Sequence, residues 1–79
     1  MADFEPNDVR VGLCCMAPVK RPSASKRMLE EVEVVWASAP GPARVVEVLT
    51  FGRKRFRSSF AVSVLRKLGA KGPELGVFV

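Results

Sequence analysis

The sequence contains no histidine, and its only two cysteines, Cys14 and Cys15, are neighbours. A zinc site needs more ligands than this. Adjacent strand residues point to opposite faces, so the pair builds no disulfide framework, and there is no CxxC to serve redox chemistry. Both cysteines therefore read as small buried apolar residues. The usual catalytic triad is excluded without histidine. No GxGxxG follows the first apolar run and no GxxxxGK[ST] occurs, so neither common nucleotide fingerprint is present. No run approaches the length of a transmembrane helix. The opening MADFEPND lacks a basic segment followed by an apolar one, which argues against a secretory signal and for the cytoplasm or the nucleus.

Acid is missing from residues 53–71, which carry Arg53, Lys54, Arg55, Arg57, Arg66, Lys67 and Lys71. Residues 1–8 are the reverse, with Asp3, Glu5 and Asp8 and no base, and read as an acidic, flexible N-terminus ahead of one small unit over 9–79. The net charge is +5. A cation block of this kind favours polyanions: nucleic acid, a phosphorylated small molecule or an anionic membrane surface. Hydrophobic content of 48% over 79 residues suits a folded chain with a small core.

The apolar pattern predicts a parallel α/β unit. Residues 9–16 are apolar on both faces after Arg10, as in a strand covered on both sides. Pro18 and Pro22 mark a loop. Ser25 can cap a helix in which Met28, Leu29, Val32, Val35 and Trp36 make a stripe, with Glu30, Glu31 and Glu33 on its solvated side. The β-branched "VEVVW" suits a strand equally, so residues 32–36 stay open between the two. "RVVEVLTF", residues 44–51, is a second strand ending at Gly52. Ser58 or Ser59 can cap a helix with Phe60, Ala61, Val64, Leu65 and Leu68 inside, Arg66 and Lys67 in its last turn and Gly69 beyond. "LGVFV" reads as a final strand. The order β-α-β-α-β is that of a Rossmann-like half-domain. The last strand stops at Val79, which reads as a piece of something larger.

In such a sheet, ligands bind beyond the carboxyl ends of the strands. Two basic loops leave those ends: one with Lys20, Arg21, Lys26 and Arg27, the other with Arg53, Lys54, Arg55 and Arg57. Helix N-termini at the same edge would add free N–H groups for a ligand with several phosphates. A second ligand class also fits. Phe56, set between basic residues, could stack bases in a small nucleic-acid-binding module. The bland alternatives are a solvated surface and a truncated product with no function of its own.

One resemblance sharpens the first option. Val11-Gly12-Leu13-Cys14-Cys15-Met16, Lys20-Arg21, Ser25-Lys26-Arg27-Met28 and Phe51-Gly52-Arg53-Lys54 stand in the order of V-G-[IV]-C-x-M, a Lys-rich loop, S-K-P-M and F-G-x-K. That order resembles the start of the kinase domain in the diphosphoinositol pentakisphosphate kinases, which make inositol pyrophosphates. The resemblance implies an N-terminal subdomain of an ATP-grasp kinase. Lys20, Arg21 and Lys54 would contact phosphates of an inositol polyphosphate, and Lys26, Arg53, Arg55 and Arg57 would be further polyanion contacts. ATP and magnesium would be held by the remainder of the kinase domain, so no catalytic or metal-binding residue is assigned here. Arg27 replaces the family proline, and "RFRSSFAVSVL" replaces the segment expected after F-G-x-K.

Overall fold

The computed structural model describes residues 2–69. It contains four strands, β1 (Cys14–Val19), β2 (Met28–Ala37), β3 (Val45–Thr50) and β4 (Arg57–Ala61), with short 3-10 turns at Pro6–Asp8 and Val62–Val64. The strands form one antiparallel sheet in the order β1-β2-β3-β4. This overturns the parallel β-α-β-α-β Rossmann-like half-domain. The connections 20–27, 38–44 and 51–56 explain why, since each is shorter than the dozen or so residues that a parallel crossover needs.

Both expected helices are corrected. Residues 28–37 form β2, so 32–36 resolve as strand. Val32 and Val34 alternate into the core, and the period-two pattern of β-branched residues outweighs the helical stripe. Val35 is the extra residue where the register shifts between Val34 and Trp36. This bulge disguised the alternation, because Trp36 follows Val35 out of phase. Residues 58–68 become β4, the Val62–Val64 turn and a single bridge at Arg66. Arg66 and Lys67 therefore end no helix. Three serines and two valines across 58–64 form helix poorly, and pairing with β3 decides the outcome. Pro18 lies inside β1 rather than in the following loop. The expected strand "LGVFV" lies outside the described residues.

One sheet face carries the core. Cys15, Val32 and Thr50 form one cross-strand row, Val34 and Val48 another, and Val46 and Phe60 a third. Val9, before the sheet, and Val62 and Leu65, after it, pack onto these rows. Val62 and Leu65 lie between β4 and the far edge of β1. Met16 and Arg66 exchange N–H···O bonds of 2.8 Å. In a flat sheet, Arg66, paired on the outside of β1, would stand four spacings or about 19 Å from β4, at about 4.8 Å per strand. A 3-10 turn and two extended residues span less, at about 2 and 3.3 Å per residue. The sheet must therefore curl around its valine core.

Pro18 fits because β1 is an edge. Its ring removes an outward N–H, and its carbonyl accepts a 3.0 Å bond from Arg27 Nη1. At the opposite end of the sheet from the basic loops, Arg44 donates to the carbonyls of Ser38 (3.0 Å), Pro6 (2.8 Å) and Val9 (2.6 Å). Asp3 accepts the Lys67 N–H at 3.0 Å, tying the acidic N-terminus to the segment after β4. Among the described residues, no helix is long and apolar enough to cross a membrane.

Candidate functional site

Antiparallel pairing still brings the two basic loops together. β1 and β3 run in the same direction, so the loops that follow them leave the same end of the sheet. Arg21 Nη1 donates to the Lys54 carbonyl at 3.3 Å, a direct contact between the loops. Between them lies a cleft of about 350 Å³ lined by Arg21, Pro22, Ser23, Lys54, Arg55 and Phe56. Among the described residues, no helix N-terminus contributes to it. The 3-10 turns stand elsewhere in the chain, so the expected helix dipoles are absent from the site.

The cations at this end fall into two groups. Arg21 is held by Glu30 through two parallel bonds, Nε to Oε2 at 2.9 Å and Nη2 to Oε1 at 2.8 Å. Hydrogen bonding to Glu30 raises its pKa further above the ordinary arginine value, against a smaller opposing effect of burial. Arg55 Nε donates to the Thr50 carbonyl at 3.2 Å, and its Nη2 lies 3.8 Å from Glu33 Oε1. Arg57, the first residue of β4, pairs with Glu47 across the outer sheet face and does not line the cleft. Lys20 donates to the Ala24 carbonyl at 2.7 Å, inside its own loop. By contrast, Lys26, Arg53 and Lys54 are exposed, and their side chains have no hydrogen-bond or ion-pair partner among the described residues.

Glu30 and Glu33 are thus partners of the site's arginines and not members of a solvated helix face. Only the cross-strand register reveals this. Phe56 is also reassigned: it is half-buried against the core, and its N–H donates to the buried Thr50 Oγ1 at 2.8 Å. The exposed aromatic of this loop is Phe51, with the Arg55 guanidinium 5.5 Å above its ring. Gly52 beside it has φ +109°, a conformation that a side chain would strain, and lets the chain turn out of β3.

A larger hollow of about 510 Å³ lies by Pro18, Phe60 and Val64. Its cations bond neighbouring backbone, Arg27 to the Pro18 carbonyl and Arg66 to those of Ser63 and Leu65. It offers phosphate less than the smaller cleft does. Among the described residues, no group of three or more Cys, Asp or Glu is placed to hold a metal ion.

Both cysteines are free. Burial pushes the Cys15 thiol up to about 11, and the neighbouring Cys14 adds to the rise. The folded chain therefore keeps Cys15 protonated at pH values where the unfolded chain, with its ordinary value of 9.0, ionises it. The stability contribution is intact below pH 9.0 and is lost as pH rises toward 11. A Cys15→Ala variant should lose less stability than the parent chain over that window, measured by urea unfolding. Identical slopes would remove Cys15 as the cause.

A scan of family models and searches of curated proteins and of solved structures give no match for this chain.

Proposed function

We propose that the loop end of the sheet binds a multiply phosphorylated anion, with the cleft between residues 20–27 and 51–56 as the contact surface. The observation that carries this reading is the Arg21–Lys54 contact, which joins two basic loops far apart in sequence into one cleft. Arg21 positions the loops, while Lys54 supplies a cation that no carboxylate among the described residues has neutralised. Inositol hexakisphosphate is the first probe. The resemblance to the inositol pyrophosphate kinases supports that ligand chemistry, with Lys20, Arg21 and Lys54 toward its phosphates. The parallel sheet expected from the apolar pattern is replaced by an antiparallel meander, so the reading is one of binding and includes no phosphoryl transfer.

Calorimetric titration of inositol hexakisphosphate into the parent chain and two variants tests this. Lys54→Ala should weaken binding about tenfold, the low end of what losing a charged hydrogen bond costs. Lys67→Ala should leave affinity unchanged. Its residue follows the Arg66 bridge toward the start of β1, away from the loops, and its N–H bond to Asp3 survives the substitution. Equal losses in the two variants would mean diffuse attraction rather than a site.

A further inference from the structure

The unpartnered cations do not converge on one cup. Lys54 lines the cleft, whereas Lys26 and Arg53, on opposite loops, do not. The arginines within the cleft, Arg21 and Arg55, already hold Glu30 and Glu33. A compact polyphosphate presents its charges to one small volume and would meet mostly neutralised arginines there. An extended polyanion can touch Lys26, Lys54 and Arg53 in turn. Phe51 points the same way. It is 41% exposed at the start of the cation-rich loop, with no polar atom to offer a phosphate. The Arg55 guanidinium lies over its ring, 5.5 Å from the centroid, and extends the planar surface that Phe51 presents.

Resting on the polyanion reading above, we infer that the ligand is a single-stranded nucleic acid, one base stacking on the Phe51–Arg55 surface while its phosphates pass Lys26, Arg53 and Lys54. Stacking on an aromatic face needs an unpaired base, which a duplex does not present. Phosphate contacts supply salt-dependent affinity without sequence preference.

The test is fluorescence anisotropy on the full chain at fixed salt. The probes are a short labelled oligothymidylate and a labelled duplex of the same length, with inositol hexakisphosphate as competitor. The single strand should bind more tightly than the duplex. Phe51→Ala should weaken single-strand binding about tenfold, within the range for one lost base stack. Phe51→Trp should keep it, and the loss of inositol hexakisphosphate affinity in Phe51→Ala should be much smaller. A circular dichroism melt of each variant accompanies the titrations. The stacking inference fails if the duplex binds as well as the single strand, or if Phe51→Ala leaves single-strand affinity intact. It also fails if that variant loses both ligands equally, since Phe51 would then only support the loop. In all three cases the polyanion reading stands as long as Lys54→Ala weakens inositol hexakisphosphate binding. If the parent chain binds neither ligand, both readings fall.

Discussion

Replacing Leu65 by Ala is expected to leave the chain largely unfolded at room temperature. Leu65 is fully buried, and it is the largest such side chain among the described residues. Truncating a buried leucine costs about 2–5 kcal/mol. A core of this size rarely supplies more than about 3–5 kcal/mol in total. Most of the surrounding core is valine, whose stiff χ1 leaves little freedom to fill the space. Leu65 also holds the segment that reaches the edge of β1, so the cavity opens where the sheet closes. Urea unfolding followed by circular dichroism gives the comparison. Leu65→Met, which keeps the volume, should cost less than about 1.5 kcal/mol. A Leu65→Ala chain with parent-like stability would show that this closure is dispensable.

Arg44→Ala should be the most damaging substitution of a cation, at about 2–4 kcal/mol. One guanidinium serves the carbonyls of Pro6, Val9 and Ser38, and each charged bond is worth about 1.5–3 kcal/mol. The sum overstates the cost, because the site is only partly buried and water can replace some of the bonds. The loss should be regional. Backbone amides of residues 2–13 should exchange faster, and those at the centres of β2 and β3 should change least. Arg44→Lys should not restore protection, because a single ammonium cannot reach three carbonyls that the planar fork spans. Full protection in the lysine variant would show that charge suffices and that the fork geometry does not matter.

The strand at 45–50 was legible from its run of β-branched residues, but only the first half of β1, Cys14–Met16, fell within the apolar run at 9–16, whose earlier residues form a turn ahead of the strand. β2 was legible only as an ambiguity. Met28, Leu29, Val32, Val35 and Trp36 do lie at helical spacing, and the bulge at Val35 hides the alternation that would have argued for a strand. Residues 58–68 misled for a related reason, since Phe60 and Leu65 are both buried but lie on different segments, a strand and the stretch after a 3-10 turn. The meeting of the two basic loops was expected at the carboxyl ends of parallel strands. Antiparallel neighbours place β1 and β3 in the same direction, so the loops meet by another route. The neutralising partners were not legible. Arg21 meets Glu30 because Ala17 pairs with Glu30, and register is a property of the folded sheet. Phe51 and Phe56 exchange roles because Thr50 bonds the Phe56 backbone and draws that residue inward.

The bridge between Met16 and Arg66 has a consequence for synthesis. The three hairpins are local and can form as the chain emerges, since closing a short loop costs little entropy. The last contact joins residues from opposite ends of the described chain and cannot form until residue 66 has left the ribosome. Until then Cys15, Ala17 and Val19 lack the cover of Val62 and Leu65, and Met16 presents an unpaired edge. The nascent chain is most exposed to wrong pairing in this interval. Pro18 guards the stretch of that edge beyond Met16 from the moment β1 forms, before any later residue has been made.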